Sequence, residues 1–308
     1  MDRLNRRDFL GLALGTAAAG GAAAALAACA ASPRSTTTTT TSTTAAAPPA
    51  TAPAAARVPG LQLYTVRTLL ERDFEGTIRQ LAEIGYKELE FAGYYNRQPA
   101  AVRALLDSLG LRAPSAHVPL DAFRTALPAT LDAAAALGHQ FVVCPFLLPP
   151  DRTEATYQRL GDEFTRFGRA ARERGMQFAY HNHDFEFADL GGGRTGFEIL
   201  AAGSDRDLVK FELDLYWATF AGRDPVALFA AHPGRFPLCH VKDMREPQGA
   251  KAMAPVGEGG IDFARIFAAA PQAGLRHYFV EHDNAAEYPG GPLASVRTSY
   301  GALRRLLA

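Results

Sequence analysis

The chain of 308 residues has no excess of charge of either sign, with 32 Lys and Arg residues against 32 Asp and Glu residues. Proteins that bind nucleic acid or an anionic surface through their net field carry a basic excess, so this balance supports neither partner. Lysine itself is rare, since the lysines are Lys87, Lys210, Lys242 and Lys251. A lysine that lies beside other ionisable residues is therefore a candidate for a specific role.

Cysteine is also scarce, with three residues in the chain. Cys144 and Cys239 lie within apolar runs that predict strands, which favours buried thiols. Export would permit a disulfide between them, but nothing in the sequence argues for one. The third cysteine, Cys29, lies in a different setting, close behind an Ala-rich segment.

Residues 1–29 are predicted to be an export signal. Arg6 and Arg7 precede a weakly apolar run at 11–28, the arrangement of a twin-arginine signal. The Leu-Ala-Ala of 26–28 followed by Cys29 resembles a bacterial lipobox, in which Cys29 becomes the lipidated first residue; the alternative is cleavage nearby with Cys29 discarded. A membrane-spanning helix is disfavoured, because Ala and Gly contribute little transfer free energy.

Residues 30–56 are predicted to be a disordered tether. From Ser35 to Ala56 the chain contains Thr, Ala, Pro and Ser, with no charge and no large apolar side chain. Such a segment cannot bury enough surface to offset the entropy of ordering it. Residues 57–308 remain for one large domain, which the tether would hold away from a membrane anchored through Cys29.

The domain alternates between short apolar runs and segments with helical periodicity, such as Phe74-Ile78-Leu81-Ile84. The runs that predict strands are 61–64, 88–91, 113–118, 141–146, 176–183, 209–217, 236–241 and 278–282. Glycines at the helix-to-strand junctions predict left-handed helix caps at Gly85, Gly110, Gly138, Gly175, Gly203, Gly234 and Gly274. Eight such units in this length predict a (β/α)8 TIM barrel. The alternative, a doubly wound open sheet, usually has a Gly-rich first turn, which residues 64–67 lack.

Polar residues lie where the predicted strands end, and in such barrels the site is at that end. They are Gln62, Glu90, His117, His181, His183, Asp214, His240, Lys242, Asp243, Glu281, His282 and Asp283. Asp214, His240 and Glu281 come from three successive strands, and converging carboxylates and imidazoles hold a divalent cation with positions left open. The sequence therefore predicts a metal site there.

Four motifs resemble those of the xylose isomerase-like barrels, often labelled sugar phosphate isomerase/epimerase. They are FELDLYW at 211–217, CHVKD at 239–243, GEGGIDF at 257–263 and FVE at 279–281. The resemblance covers nearly all of 57–308 and implies one divalent metal ion, commonly manganese, magnesium or cobalt, with zinc also considered. It implies Glu, Asp, His and Glu ligands from strands five to eight, of which Asp214, His240 and Glu281 match the last three.

The first ligand is where the chain departs from the family pattern. The fifth strand and its following loop read FAYHNHDFEF at 178–187, which places His181 where the family has Glu. Either His181 is the first ligand, or Glu186 returns from the loop to supply a carboxylate. A histidine would leave the site one negative charge poorer and favour a softer metal. His183 shares a face with His181 because strand side chains alternate with a period of two.

The resemblance implies chemistry at a carbonyl. A metal that chelates a carbonyl and its neighbouring hydroxyl makes the adjacent C–H acidic, and a carboxylate or imidazole then takes that proton. The candidate catalytic residues are Glu281, His183, Glu186 and Lys242. Lys242 would stabilise an oxyanion; its alternative is an ion pair with Asp243 or Glu258. The candidate substrate-binding residues are Gln62, Glu90, His117, Trp217 and Glu258, and core packing is an equal alternative for Trp217.

Three functions fit these residues. The first is an isomerase or epimerase that acts on a non-phosphorylated keto-sugar or polyol. The second is a lyase or hydrolase that acts on 3-keto glycosides or inosose-like substrates by β-elimination. The third is a carbohydrate-binding lipoprotein without catalysis, although a binding module needs no open metal site. Export disfavours sugar phosphates, and the sequence has no Gly-rich phosphate cradle after strands seven and eight. The oligomeric state is not predicted.

The twin-arginine assignment predicts that changing Arg6 and Arg7 together to lysine leaves the precursor in the cytoplasm. The conservative change keeps the charge of the segment but removes the residues that the export route reads. Cell fractionation followed by immunoblotting measures the distribution. Undiminished export of the double variant would contradict the assignment.

Overall fold

The computed structural model describes residues 57–245 and 251–308. The predicted export signal, Cys29 and the tether lie outside the described residues. No helix within the described ranges combines the length and the apolar character that crossing a bilayer requires.

Eight parallel strands close into a barrel with helices between them, so the predicted (β/α)8 fold is confirmed. In chain order the ten strands of the described residues are β1 (Pro59–Gln62), β2 (Glu88–Phe91), β3 (Arg112–His117), β4 (Phe141–Cys144), β5 (Gln177–His181), β6 (Val209–Asp214), β7 (Leu238–Val241), β8 (Asp243–Arg245), β9 (Ala252–Ala254) and β10 (His277–Val280). The barrel consists of β1–β7 and β10, and β8 and β9 are two further short strands. The pairing of β1 with β10 closes the barrel. The short strands β8 and β9, which follow β7 in the chain, form a separate two-stranded antiparallel sheet that the sequence pattern did not predict.

The α-helices of the described residues surround the barrel. They are Arg67–Arg72, Phe74–Ile84, Pro99–Ser108, Leu120–Thr125, Leu127–Leu137, Glu154–Arg172, Gly196–Gly203, Leu215–Phe220, Pro225–Ala231, Phe263–Ala268, Ala270–Ala273 and Gly291–Leu307. The helix Phe74–Ile84 is an example of how an N-terminal cap and apolar spacing determine a helix. Asp73 caps its N-terminus by accepting a hydrogen bond from Gly76 N, and its apolar residues at three- and four-residue spacing are buried.

The inside of the barrel is layered. Phe141, Val143, Ala179, Leu238 and Phe279 form a buried apolar cluster that is separate from the larger core between strands and helices. Residues two positions further along the same strands point inward again, one layer nearer the carboxyl ends. On three of these strands that next residue is polar, so the apolar cluster supports a polar layer from below.

The sixth strand is shorter than its apolar run predicts. The run 209–217 suggested strand throughout, but β6 ends at Asp214 and the helix Leu215–Phe220 follows directly. Asp214 causes the change, because its Oδ1 accepts a hydrogen bond from Trp217 N at 2.9 Å and so caps the helix. Apolar composition alone does not separate a buried strand from a buried helix.

Six of the seven predicted glycine caps have a positive φ, and Gly203 is the exception. Gly203 ends the helix Gly196–Gly203, which packs closely on Glu154–Arg172. A Cβ added to Gly161 would lie 2.5 Å from the backbone oxygen of Gly203, whereas a Cβ added to Gly203 meets nothing nearer than 3.9 Å. The close approach of the two helices therefore depends on Gly161 and tolerates a side chain on Gly203.

This asymmetry predicts that Gly161→Ala lowers the free energy of unfolding by about 1–3 kcal/mol, because the helices must move apart. The matched change Gly203→Ala, made on the other side of the same contact, should alter it by less than about 0.5 kcal/mol. Urea denaturation of both variants measures the difference. Equal effects would show that the contact adjusts freely.

Candidate metal centre and active site

Asp214, His240 and Glu281 converge at the carboxyl end of the barrel. One donor atom from each lies within 4.8 Å of the others, and all three side chains are buried. His240 Nδ1 lies 2.8 Å from Glu281 Oε2 and 3.9 Å from Asp214 Oδ2. The pairing of β6 with β7 sets Asp214 opposite His240, and Glu281 directly follows β10, the next strand around the barrel.

His181, rather than Glu186, faces this group from the fifth strand. His181 Nε2 lies 3.7 Å from Asp214 Oδ2. The carboxylate of Glu186 accepts hydrogen bonds from the Tyr180 hydroxyl and from His183 N, so it holds its own loop together. Of the two alternatives for the fifth strand, the geometry places His181 beside the cluster. The catalytic role considered for Glu186 has no support in this arrangement, because both of its oxygens accept hydrogen bonds from protein donors.

Lys242 lies among the carboxylates, at 2.9 Å from Asp214 Oδ2, 2.7 Å from Glu281 Oε2 and 3.1 Å from Asp283 Oδ1. The alternative ion pairs with Asp243 or Glu258 are therefore not the ones that the structure contains. Burial lowers the pKa of Lys242, but the three carboxylates outweigh burial and hold the pKa well above its usual value. Lys242 is thus a stable ammonium at the site.

These residues fit a divalent cation. Asp214 Oδ2 is buried beside the Lys242 ammonium, at 2.9 Å, so a cationic group already lies where this oxygen points. Asp214 Oδ1 is occupied by the helix cap, so Oδ2 is the oxygen that remains for a ligand. Carboxylate oxygens and imidazole nitrogens suit manganese, cobalt and zinc, and a mixed donor set does not select among them.

A second layer of polar residues lies below this cluster. Glu212, two residues before Asp214 on the same face, places Oε2 at 2.7 Å from His117 Nε2, 3.1 Å from His181 Nδ1 and 3.1 Å from His240 Nε2. His117, His181, Glu212 and His240 form the second group of donors within 4.8 Å of one another. Burial raises the pKa of Glu212, but the imidazoles of His240 and His117 outweigh it and lower the pKa far below its usual value.

Glu90 and Gln62 belong to this lower layer, which differs from the substrate-binding role expected for them. Glu90 Oε2 lies 2.6 Å from His240 Nε2 and accepts a hydrogen bond from Gln62 Nε2 at 2.8 Å. Glu90 Oε1 accepts another from the Ser115 hydroxyl. Both side chains are fully buried and bonded to protein, so they support the site from below. His117 also faces this layer, with a small exposed fraction.

Aromatic side chains lie around the opening above the metal cluster. His183 stacks on Phe185 and meets Phe146 edge-on, and its ring centre lies 5.6 Å from that of Trp217. His183 Nδ1 and Trp217 Nε1 are buried without a hydrogen-bond partner. Burial, followed by the neighbouring His181 and Lys242, lowers the pKa of His183 far below its usual value, so its ring is neutral.

Glu258 lies at the rim, further from the cluster than the sequence suggested. Its carboxylate binds Arg245 at 2.8 Å and the Tyr288 hydroxyl at 2.6 Å. The Gly-rich loop that carries Glu258 is held by Asp243, whose carboxylate accepts backbone hydrogen bonds from Gly257 and Gly259. Glu258 therefore braces the rim through protein contacts.

Glu212 and Asp283 are the residues that sequence reasoning missed. Glu212 is within the FELDLYW motif, and the period-two alternation of β6 is the signal that it shares a face with Asp214. Asp283 was noted at the end of the eighth strand without a role, and the structure pairs it with Lys242.

The family model that matches this chain is described as a xylose isomerase-like TIM barrel and covers residues 78–305. Inosose dehydratase of Lacticaseibacillus casei is 29% identical over 263 residues, which span 71% of this chain and 86% of the relative. A sugar phosphate isomerase/epimerase structure from Parabacteroides distasonis has a TM-score of 0.69 at 27% identity, covering 81% of this chain and 94% of the other. A structure of the IOLI protein with a bound zinc atom has a TM-score of 0.65 at 15% identity, covering 81% and 98%.

The position of His181 predicts that His181→Asn weakens binding of manganese or zinc. We expect a loss larger than the roughly 10- to 100-fold that follows removal of a supporting residue. Glu186→Gln removes a buried charge from the same loop and should leave the affinity unchanged. Competition with a chromogenic chelator measures both. Strong loss in Glu186→Gln with none in His181→Asn would return the ligand role to Glu186.

Proposed function

Because the chain belongs to the family of xylose isomerase-like TIM barrels, we propose that it is a metal-dependent enzyme that removes a proton beside the carbonyl of a keto-sugar or keto-polyol. The observation that carries the proposal is the convergence of Asp214, His240 and Glu281 in one buried cluster with Lys242 beside it. Such a cluster is costly to bury unless a cation and a substrate use it.

Asp214, His240 and Glu281 would hold the metal, with His181 as the fourth donor. When bound, a divalent metal supplies Lewis-acid polarisation of a carbonyl and its neighbouring hydroxyl. Asp214 is held for this task from two sides, because Asn182 Oδ1 accepts a hydrogen bond from Asp214 N at 3.1 Å while Asp214 Oδ1 caps the next helix. The direction of its other oxygen, Oδ2, is thereby fixed.

Lys242 would stabilise negative charge on the substrate oxygen as the proton leaves. Its ammonium lies beside Asp214 and Glu281, so a substrate that reaches the metal also comes near Lys242. A fixed ammonium in a water-poor site stabilises an oxyanion more strongly than the same group does in water.

His183 is the proposed base. Its ring is neutral, Nδ1 has no partner, and Phe146 and Phe185 fix the ring orientation. In a β-elimination His183 takes the proton from the carbon next to the carbonyl, a C=C bond forms, and the C–O bond at the β carbon breaks. The leaving oxygen takes a proton from His183, which holds the one removed from the carbon, and departs as an alcohol or water. Returning the proton to the same or the neighbouring carbon gives epimerisation or isomerisation.

Elimination is the preferred outcome, because the similar curated protein from Lacticaseibacillus casei is named inosose dehydratase. Isomerisation or epimerisation is the alternative, favoured by the name of the similar Parabacteroides distasonis structure. Both outcomes share the same proton abstraction, so the metal ligands and the base have the same roles in each.

A substrate without phosphate suits the charge of the site. Asp214, Glu281 and Asp283 carry three negative charges, which the Lys242 ammonium and one divalent cation together balance. The metal-loaded site therefore has no excess of positive charge to bind a phosphate dianion. Trp217 at the opening suits the apolar face of a sugar or an aromatic aglycone.

The predicted export also bears on where the protein acts and on its substrate. The twin-arginine segment, Cys29 and the 30–56 tether argue for a lipid-anchored protein outside the cytoplasm. Sugar phosphates are scarce there, which agrees with the charge argument. The partner is then a small carbohydrate, and nucleic acid is not expected.

The test uses a nitrophenyl 3-keto glucoside and a keto-inositol with metal-loaded protein in deuterated water. We expect release of nitrophenol or water and formation of an enone that absorbs in the ultraviolet. His183→Asn should slow turnover about 100- to 10,000-fold, the range for loss of a general base. Metal content should stay unchanged. Glu258→Gln at the rim is the control and should keep most of the activity.

Other outcomes separate the alternatives. Deuterium incorporation with every substituent retained would identify an isomerase or epimerase. Binding of these sugars without exchange or turnover would identify a non-catalytic carbohydrate-binding protein, and the proposed enzyme activity would be wrong. Full activity of His183→Asn would show that a residue other than His183 is the base.

A further inference from the structure

The lower donor group, His117, His181, Glu212 and His240, has a composition that suits zinc. It shares His181 and His240 with the upper cluster around Asp214 and Glu281. Two interpretations are open: a second metal site, or a hydrogen-bonded layer that supports the first. The distances between donor atoms separate them.

The lower group has the distances of hydrogen bonds. Glu212 Oε2 lies 2.7 Å from His117 Nε2 and 3.1 Å from both His181 Nδ1 and His240 Nε2, and Glu90 Oε2 lies 2.6 Å from His240 Nε2. Donors bonded at about 2.1 Å to one tetrahedral metal lie roughly 3.4 Å apart, so this group is too tight.

The upper group is more open. His181 Nε2 and His240 Nδ1 lie 3.7 and 3.9 Å from Asp214 Oδ2, beyond hydrogen-bonding distance. The contact of His240 Nδ1 with Glu281 Oε2 is shorter, at 2.8 Å. The separations from Asp214 therefore suit an ion better than those of the lower group, and the Lys242 ammonium, 2.9 Å from Asp214 Oδ2, borders that space.

Each of the two shared histidines, His181 and His240, has one ring nitrogen facing the lower group and the other facing the upper cluster. His181 directs Nδ1 down to Glu212 and Nε2 up to Asp214. His240 directs Nε2 down to Glu90 and Glu212, and Nδ1 up to Glu281. A carboxylate that accepts the lower N–H keeps a proton on the lower nitrogen, so a bound metal takes the place of any proton on the upper nitrogen, as on His240 Nδ1 beside Glu281.

We infer that Glu212 is a positioning residue that sets the tautomer and ring orientation of both ligand histidines, with Glu90 assisting at His240. Glu90 is fixed for this task by Gln62 and Ser115. His117 donates to Glu212 from the remaining side. One buried carboxylate on β6 thus prepares two nitrogen donors on the strands that flank it, β5 and β7. The inference rests on the metal cluster of the proposed function but not on the reaction catalysed.

The experiment compares Glu212→Gln with Glu88→Gln. Glu88 is a buried glutamate of the same barrel that binds His277 and Arg112 at the opposite end, so its variant controls for the loss of a buried carboxylate. We expect one zinc ion per wild-type chain, and an affinity about 10- to 100-fold weaker in Glu212→Gln, the range for such supporting residues. Glu88→Gln should bind zinc like the wild type.

Nitrogen-15 NMR of the zinc-loaded wild type gives a second readout that does not depend on turnover. We expect His240 to carry its proton on Nε2 and His181 on Nδ1, with both signals changed in Glu212→Gln. Should Glu212→Gln fail to fold, Glu90→Gln tests His240 alone, with a weaker affinity and a change at His240 but not at His181.

Three results would overturn the inference. Two zinc ions per wild-type chain, with one lost in Glu212→Gln, would make the lower group a metal site. Wild-type affinity in a folded Glu212→Gln would show that Glu212 does not position the ligands. The opposite tautomers in the wild type would show the same. Since each readout measures metal or protons, loss of the proposed activity would leave the result intact.

Discussion

The structure depends on how the barrel accommodates four carboxylates that it buries at one end. Glu90, Glu212, Asp214 and Glu281 are removed from water, and each would cost several kcal/mol if it had no partner. The chain supplies imidazoles below and the Lys242 ammonium above. The Lys242 ammonium lies 2.9 Å from Asp214 Oδ2, and a divalent cation bound beside it would offset the negative charge that one ammonium leaves uncompensated.

This requirement explains the layered interior. The apolar cluster that includes Ala179 and Leu238 closes the barrel to water from below. Two residues further along those strands, His181 and His240 meet the carboxylates, and each histidine connects the hydrogen-bonded layer with the metal layer. Because inward-facing side chains recur every second residue, one strand contributes to several layers at once. The aromatic opening then lies above the charged groups, where a sugar would enter.

Much of the fold could be predicted from the sequence, because it rests on local rules. Strand and helix periods depend on residues that are close together in the sequence, and so do glycines with positive φ such as Gly85 and Gly138. In this fold the site lies at the strand ends, so the positions of Asp214, His240 and Glu281 in the sequence predict that they lie together, as they do in the structure. The β6 boundary escaped prediction because a helix cap by Asp214 depends on a single hydrogen bond and not on composition.

The sequence could not show which polar side chains face a substrate and which bond to other protein groups. Gln62 and Glu90 end their strands as Asp214 does, yet they bond to neighbours across the barrel, while Glu186 turns into its own loop. By itself the sequence determined the order of elements and the residue types at the strand ends, since both follow from short-range periodicity. Only the closed barrel decided which of those residues meet, because strands far apart in the chain become neighbours when β1 pairs with β10.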